Sequence, residues 1–166
     1  MSTVNQTTTF AETRQPRRFG RLFRWIGIGM AALVLLALVA FGAMVAWMNY
    51  VPADLDISTS LVTDNGLYRA SYTPQYEPVP INQIQSWTLH LETEDGRPVE
   101  GAQIRVDGDM PQHGHGLPTR PQVTEYLGNG DYRVEGLKFH MPGWWIVEFD
   151  ITADGQTDHV TFNLIL

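Results

Sequence analysis

The sequence contains no cysteine. This absence excludes disulfide bonds, thiolate metal sites and thiol-based catalysis. A Gly-x-Ser-x-Gly nucleophile elbow and a glycine-rich phosphate-binding loop are also absent. Asp107 and Asp109 could form a paired-carboxylate site, but Gly108 between them indicates a turn at the end of a strand. The residue pattern therefore predicts that the protein is not an enzyme.

Positive charge is scarce beyond the first 24 residues. From residue 25 onward, 6 basic residues face 17 acidic ones, a balance of −11. This argues against nucleic acid as a partner, because a phosphate-binding surface needs clustered lysine and arginine. An acidic surface suits cations or partners with basic faces instead. The first 24 residues are basic, with one acidic residue, Glu12, against Arg14, Arg17, Arg18, Arg21 and Arg24.

One long stretch, residues 25–47, has 23 residues and no charge. As a helix it would be about 34 Å long, enough to cross a hydrocarbon core of roughly 30 Å. Trp25 and Trp47 stand where interfacial aromatic residues are expected. A cleavable signal peptide is the alternative, and Arg17-Arg18 resembles part of a twin-arginine signal. The stretch is longer than a typical signal core, however, and no Ala-x-Ala site ends it.

The predicted topology is a single-pass anchor in the cytoplasmic (inner) membrane. Because arginines precede the apolar stretch and Asp54 and Asp56 follow it, the N-terminus should lie in the cytoplasm and the C-terminal domain in the periplasm. The predicted organisation is a disordered basic tail (1–24), a transmembrane helix (25–48), a linker (49–56) and an extracytoplasmic domain (57–166).

Beyond residue 57 the apolar pattern has a period of two, which is typical of strands. Trp87, Leu89 and Leu91, for example, alternate with polar residues. Turn signals such as Asp95-Gly96 separate the runs. The pattern predicts an all-β sandwich of about seven strands, at residues 68–72, 87–91, 102–106, 123–127, 132–136, 145–151 and 160–164.

Methionine is also scarce: outside the start residue and the predicted membrane helix, the sequence has only Met110 and Met141. Both stand near histidines, with His113 and His115 after the first and His140 before the second. Thioether and imidazole are ligands that copper prefers, and copper(I) should be favoured over zinc because zinc makes little use of thioethers. Loops at one end of a sandwich gather in space, so the two clusters can form a metal site.

The region around these ligands should be irregular. Two prolines and two glycines within residues 110–120 predict a loop that leaves a strand ending near Asp107. Only one of His140 and Met141 is expected to face the site, because their side chains alternate. A purely structural loop pair, with methionines filling gaps in the core, is the alternative. His90 and His159 are interpreted as ordinary surface histidines.

The stretch 110–151 contains Met-Pro-Gln-His-Gly-His-Gly, then Gly-Asn-Gly-Asp-Tyr, then Phe-His-Met-Pro-Gly-Trp-Trp. With these motifs it resembles the YtkA-like/FixH-like family of membrane-anchored extracytoplasmic domains. The resemblance implies an immunoglobulin-like sandwich and a link to copper supply or to the assembly of haem-copper oxidases. His113 stands where many relatives have methionine, which implies greater tolerance of copper(II). By position, the resemblance marks Met110, His113, His115 and Met141 as copper ligands, and Gly128, Gly130, Tyr132, Gly143 and Trp145 as structural.

Two functional hypotheses follow from the sequence. The first is a copper-binding accessory protein that buffers or delivers the metal outside the cytoplasmic membrane. The second is an interaction module without metal, which assists a membrane complex through its helix and exposed loops. Convergence of the methionine and histidine side chains would favour the first hypothesis.

Overall fold

The computed structural model describes residues 18–166 and begins with one apolar helix, α1 (Arg18–Met48). Its segment Gly20–Met48 is long and apolar enough to cross a membrane, which fits a single-pass anchor or a signal sequence. The helix begins before the predicted start at residue 25, since arginine is a good helix former. The predicted disordered tail is therefore wrong for residues 18–24, and its residues 1–17 lie outside the described part of the chain.

The second compact unit, Ala46–Leu166, is built from strands. Two antiparallel sheets have the orders β1-β2-β3-β7-β6 and β5-β4-β8-β9. The strands are β1 (Ser60–Val62), β2 (Tyr68–Pro74), β3 (Gln85–Thr93), β4 (Gln103–Met110), β5 (His115–Gly116), β6 (Gln122–Gly128), β7 (Asp131–Leu137), β8 (Trp144–Ala153) and β9 (Gln156–Ile165).

Seven of these strands confirm the predicted sandwich. Without the short β1 and β5, the sheets have four and three strands in the arrangement of a constant-type immunoglobulin domain. The short strands were not predicted, because runs of two or three residues carry no readable alternation. The immunoglobulin-like, all-β class after one N-terminal helix is thus confirmed.

The core lies between the two sheets. Along β8, residues 145, 147, 149 and 151 are fully buried, while the residues between them are only half-buried. This is the face that the alternation predicted. Their neighbours are also buried, as predicted: Val160, Phe162 and Leu164 flank them on β9 of the same sheet, and Trp87, Leu89 and Leu91 belong to β3 of the other sheet.

One end of the sandwich, which we call the turn end, contains the turn between β8 and β9 and is held by a buried carboxylate. Asp158 on β9 accepts hydrogen bonds from the Thr63 hydroxyl and from the backbone N–H groups of Asn65 and Leu67. Burial opposes the ionisation of Asp158, but these hydrogen bonds outweigh it and hold its pKa well below the ordinary value of 3.8. The carboxylate therefore ties the segment before β2 to β9.

Candidate metal centre

The first metal-site segment lies at the other end of the sandwich, the loop end, and forms a small hairpin. Strand β4 continues to Met110, and β5 pairs with it so that Met110 is opposite His115. The strand thus ends at Met110 and not near Asp107, as was predicted, and β5 interrupts the predicted loop over 110–120, which is otherwise confirmed. Gly114, at φ +61°, allows the chain to reverse, and the N–H groups of His113 and Gly114 both donate to the Met110 carbonyl at 2.9 Å.

Gly108 also lies inside β4, where a turn was predicted. A Cβ atom at this position would stand 2.8 Å from the Ile146 carbonyl oxygen and 3.0 Å from a methyl carbon of Leu117. Glycine is thus needed because the segments of Ile146 and Leu117 approach closely, and not because the chain turns here. The hairpin can fold over the strand because this position has no side chain.

Met110 connects the two predicted ligand segments. Its side chain is buried in the core, with 1% of its surface exposed. Its Cε atom stands 2.9 Å from where a Cβ atom of Gly143 would be, and Gly143 has φ +132°. Directly opposed residues of an antiparallel pair project to the same face of a sheet, so Met110 and His115 share a face. The thioether therefore lies at the base of the hairpin, against the second segment.

Three imidazole rings from the two segments come together. The ring centres of His113 and His115 are 6.1 Å apart and their planes are nearly parallel. The ring of His140 is 6.2 Å from that of His115, edge to face, and 5.2 Å from the Trp145 ring. His115, exposed at the tip, is the central member, while His113 and His140 are half-buried. We call these three residues the histidine cluster.

His140 has an unusual feature: its Nδ1 atom is buried and has no hydrogen-bond partner in the structure. A buried polar atom without a partner typically costs about 1–3 kcal/mol. Such an atom needs an explanation, and one explanation is a ligand that the imidazole binds. The backbone around His140 is held by the aromatic neighbours Phe139 and Trp145, whose ring centres are 5.3 Å apart.

Met141 is placed differently from His140. Its side chain is partly buried and packs against the core, and its carbonyl accepts a hydrogen bond of 3.0 Å from the Trp145 indole N–H. Of the pair, His140 is the residue whose ring contacts His115. The ligand roles of Met110, His113, His115, His140 and Met141 stay predictions.

The histidine cluster is not a finished coordination site. Across residues 18–166, no three side chains of histidine, cysteine, aspartate or glutamate converge closely enough to hold a metal ion. A metal bound here would draw the three rings inward or recruit the methionine sulfur. Two of the rings lie on the hairpin of β4 and β5, so binding of one ion would require this hairpin to move.

The other two histidines have ordinary partners. His90 Nδ1 lies 2.7 Å from an Asp131 carboxylate oxygen. His159 Nδ1 lies 2.8 Å from Asp150, and its Nε2 lies 3.0 Å from the Thr161 hydroxyl. Both side chains are partly exposed, with 34% and 35% of their surfaces accessible, which fits the prediction of surface histidines. Their hydrogen bonds leave them a structural role on the outer faces of the sheets.

The sequence did not predict which residue of the chain pairs with the second ligand segment, that of His140 and Met141. Leu166 and Gly143 form two backbone hydrogen bonds, of 2.8 and 3.0 Å. They extend the pairing of β8 and β9 by one step beyond Trp144 and Ile165. The only available signal was the length of β9, whose alternation continues almost to residue 166.

Comparison with known proteins shows what the sandwich is similar to. The sequence model of the YtkA-like family matches residues 73–150, which include all the predicted ligands. No curated protein sequence matches the chain. Two solved structures are distant neighbours. A DUF4426 family protein from Pseudomonas aeruginosa has 13% identity and a TM-score of 0.47, covering 65% of this chain and 94% of that one. The ZirS C-terminal domain has 12% identity and a TM-score of 0.37, covering 100% and 88%.

The match agrees with the motifs read from the sequence, whereas the FixH-like part of the resemblance stays a prediction. The family match runs from the end of β2 into β8, and so includes both segments of the histidine cluster. The YtkA-like resemblance predicted from the motifs is thus confirmed over residues 73–150.

Proposed function

We propose that the protein is a membrane-anchored, extracytoplasmic accessory protein that binds copper and buffers it or delivers it to a membrane complex. The observation that carries this proposal is the histidine cluster, in which three imidazoles from two segments meet and one has a buried, unpartnered nitrogen. A haem-copper oxidase is the kind of recipient that the family resemblance implies.

The ring spacing supports one shared ion. A metal–nitrogen bond of about 2 Å, plus about 1 Å from nitrogen to ring centre, places two rings on one ion at most about 6 Å apart. The observed spacings of 6.1 and 6.2 Å are close to that limit. A small inward movement of the hairpin tip would bring the nitrogens of His113, His115 and His140 within ligand distance.

The ligand types favour copper over zinc. Three imidazoles alone would suit either metal. Met110 adds a thioether on the same face as His115, and a thioether benefits copper(I) but not zinc. Bound copper would supply Lewis acidity or one-electron redox capacity, while the protein would hold the ion and limit its exposure to water.

The anchor supports the proposed location. The side chains of α1 are exposed from Gly20 to Trp47, so this apolar surface must be covered by lipid or by another membrane helix. The acidic domain after the helix and the arginines before it favour a periplasmic position for the domain. Such a position would bring the site to an oxidising compartment, where a ligand set without cysteine resists oxidation.

The test is copper binding by the full chain in detergent micelles. The double variant His113→Ala/His115→Ala should lose copper(II) binding, because it removes two of the three imidazoles while leaving the core unchanged. Met110→Leu preserves volume and should weaken copper(I) selectively. Competition with a chromogenic chelator of known affinity measures both ions.

The matched control is His90→Ala/His159→Ala, which also removes two histidines but leaves the histidine cluster intact. It should bind copper as the parent does. If the cluster variant retains parental affinity for both ions, the site lies elsewhere and the proposal is wrong.

A further inference from the structure

Strand β9 is an edge strand of its sheet, and half of its backbone groups face away from β8. Leu166 donates to and accepts from Gly143, so even-numbered residues of this strand pair inward. Odd-numbered residues therefore point outward, as the His159 carbonyl does when it accepts from the Asp64 N–H. Within residues 18–166, the outward N–H and C=O groups of Asn163 and Ile165 have no partner.

These unpaired groups border a groove of about 640 Å³ at the loop end of the sandwich. Its walls are largely apolar, and Ile57 and Ile165 beside it are 58% and 55% exposed. The volume lies in the range of ligand-binding clefts. Residues of three segments line the groove, including Ile57, Tyr72, Pro78, Val79 and Leu164.

The charged side chain that lines the groove is negative. Glu77 contributes the one charged side chain among the described residues that line it. Burial, and then the charge of Glu77, raises the pKa of Tyr72 above its ordinary value. The Tyr72 hydroxyl thus remains a neutral hydrogen-bonding group near a carboxylate. A basic group on a ligand would fit this position, whereas an acidic group would be repelled.

We propose that this groove binds an extended peptide segment of a partner protein, which adds as a strand to the free edge of β9. Outward N–H and C=O groups on alternate residues select an extended backbone, because only such a backbone presents matching groups at the same spacing. Alternate side chains of the segment enter the apolar groove, and a lysine or arginine at its end pairs with Glu77.

The neighbouring parts of this chain leave the edge accessible. Asp56 approaches β9, but its carbonyl accepts from the Asn163 side chain at 3.0 Å rather than from the backbone. Thr59 pairs with Tyr72 on β2 instead. The peptide would lie beside Leu166, whose pairing with Gly143 holds the segment of His140. A partner bound here would therefore stand next to the histidine cluster, although binding itself requires no metal.

The experiment uses the full chain in detergent micelles, in buffer treated with a chelator to remove copper. The probe is a fluorescent seven-residue peptide of alternating valine and threonine with a lysine at each end. Its binding, followed by fluorescence anisotropy, should saturate. A version with methylated valine amides loses the donors needed for strand pairing and should bind at least about tenfold more weakly.

Two variants locate the binding site. Glu77→Lys should weaken the binding of the lysine peptide and strengthen the binding of a peptide that ends in glutamates. The matched control Glu135→Lys changes the net charge equally at an exposed position of β7 and should leave the preference unchanged. Ile165→Pro removes an outward N–H together with the Ile165 side chain beside the groove and should abolish binding, whereas Ile165→Ala keeps the N–H and should only weaken it. Thermal unfolding confirms that each domain is folded.

Three results would overturn the proposal. The first is no saturable binding, and the second is equal binding of the methylated peptide. The third is self-association of the chain that Ile165→Pro disrupts, which would identify a second copy as the occupant. Because no copper is present, none of these results bears on the histidine cluster.

Discussion

The two ends of the sandwich differ in whether their buried polar atoms have hydrogen-bond partners. At the turn end, the Asp158 side chain is surrounded by donors and only 2% of the residue is exposed. At the loop end, Gln85 Nε2, Thr119 Oγ1 and His140 Nδ1 are buried without partners. They are all the unpartnered buried side-chain nitrogen and oxygen atoms in the described part of the chain.

This difference separates a structural end from the end at which we propose binding. A fully hydrogen-bonded buried carboxylate makes one arrangement of the chain favourable and leaves no capacity for a ligand. Unpartnered donors and acceptors lower stability, and they persist where binding compensates for them. The loop end also carries the free edge of β9 and its groove, so both proposed binding surfaces lie on the less satisfied end.

The largest expected effect comes from the core that the two ends share. Phe149→Ala should lower the free energy of unfolding by about 3–5 kcal/mol, because Phe149 is fully buried and its removal leaves a cavity. Urea denaturation followed by tryptophan fluorescence measures the loss. Backbone amides of both ends should then exchange faster together. Faster exchange at one end alone would show that the two ends unfold independently.

A smaller loss is expected when only the turn end is changed. Asp158→Asn keeps the shape but removes the charge and one acceptor, so unfolding should become easier by about 1–3 kcal/mol. The pH dependence follows from the lowered pKa of Asp158. Its contribution is present above the unfolded-state pKa, near 3.9, and is lost as the pH falls below that value toward the folded-state pKa.

Urea denaturation between pH 2 and 7 checks this prediction, with the approximate range set by the carboxylate reference value. The parent should lose more stability in acid than Asp158→Asn does. Equal acid sensitivity of the two proteins would contradict the assignment. Copper binding at neutral pH should be unchanged in this variant, because the site is at the other end.

The smallest stability effect is expected at the loop end. His140→Phe replaces a ring with a buried, unpartnered nitrogen by an apolar ring, so metal-free stability should stay the same or rise by up to about 1 kcal/mol. Copper affinity should fall. The matched variant His90→Phe breaks the contact with Asp131 and should leave copper affinity unchanged. A clear loss of metal-free stability in His140→Phe would mean that this histidine is structural.

Much of the fold could be predicted because it depends on local patterns. The seven long strands follow from alternation between neighbours two apart, as in β8, and the helix follows from one uncharged stretch. The residue types of the candidate site were also visible, since Met110 and Met141 are the methionines of the domain. Strand β5 was missed because its two residues, His115 and Gly116, are too few to show a period.

What the sequence by itself determined is the β-sandwich, the apolar helix and the placing of thioether and imidazole groups in two segments. Tertiary structure alone decided which polar side chains have hydrogen-bond partners and which remain available to a ligand. Asp158 and Thr63 are 95 residues apart, yet their hydrogen bond makes one end structural. His159 and His140 are the same residue type, yet His159 Nδ1 contacts the Asp150 carboxylate, whereas His140 Nδ1 is buried without a partner. The physical reason is that hydrogen bonding and burial depend on contacts between distant residues, which no local pattern records.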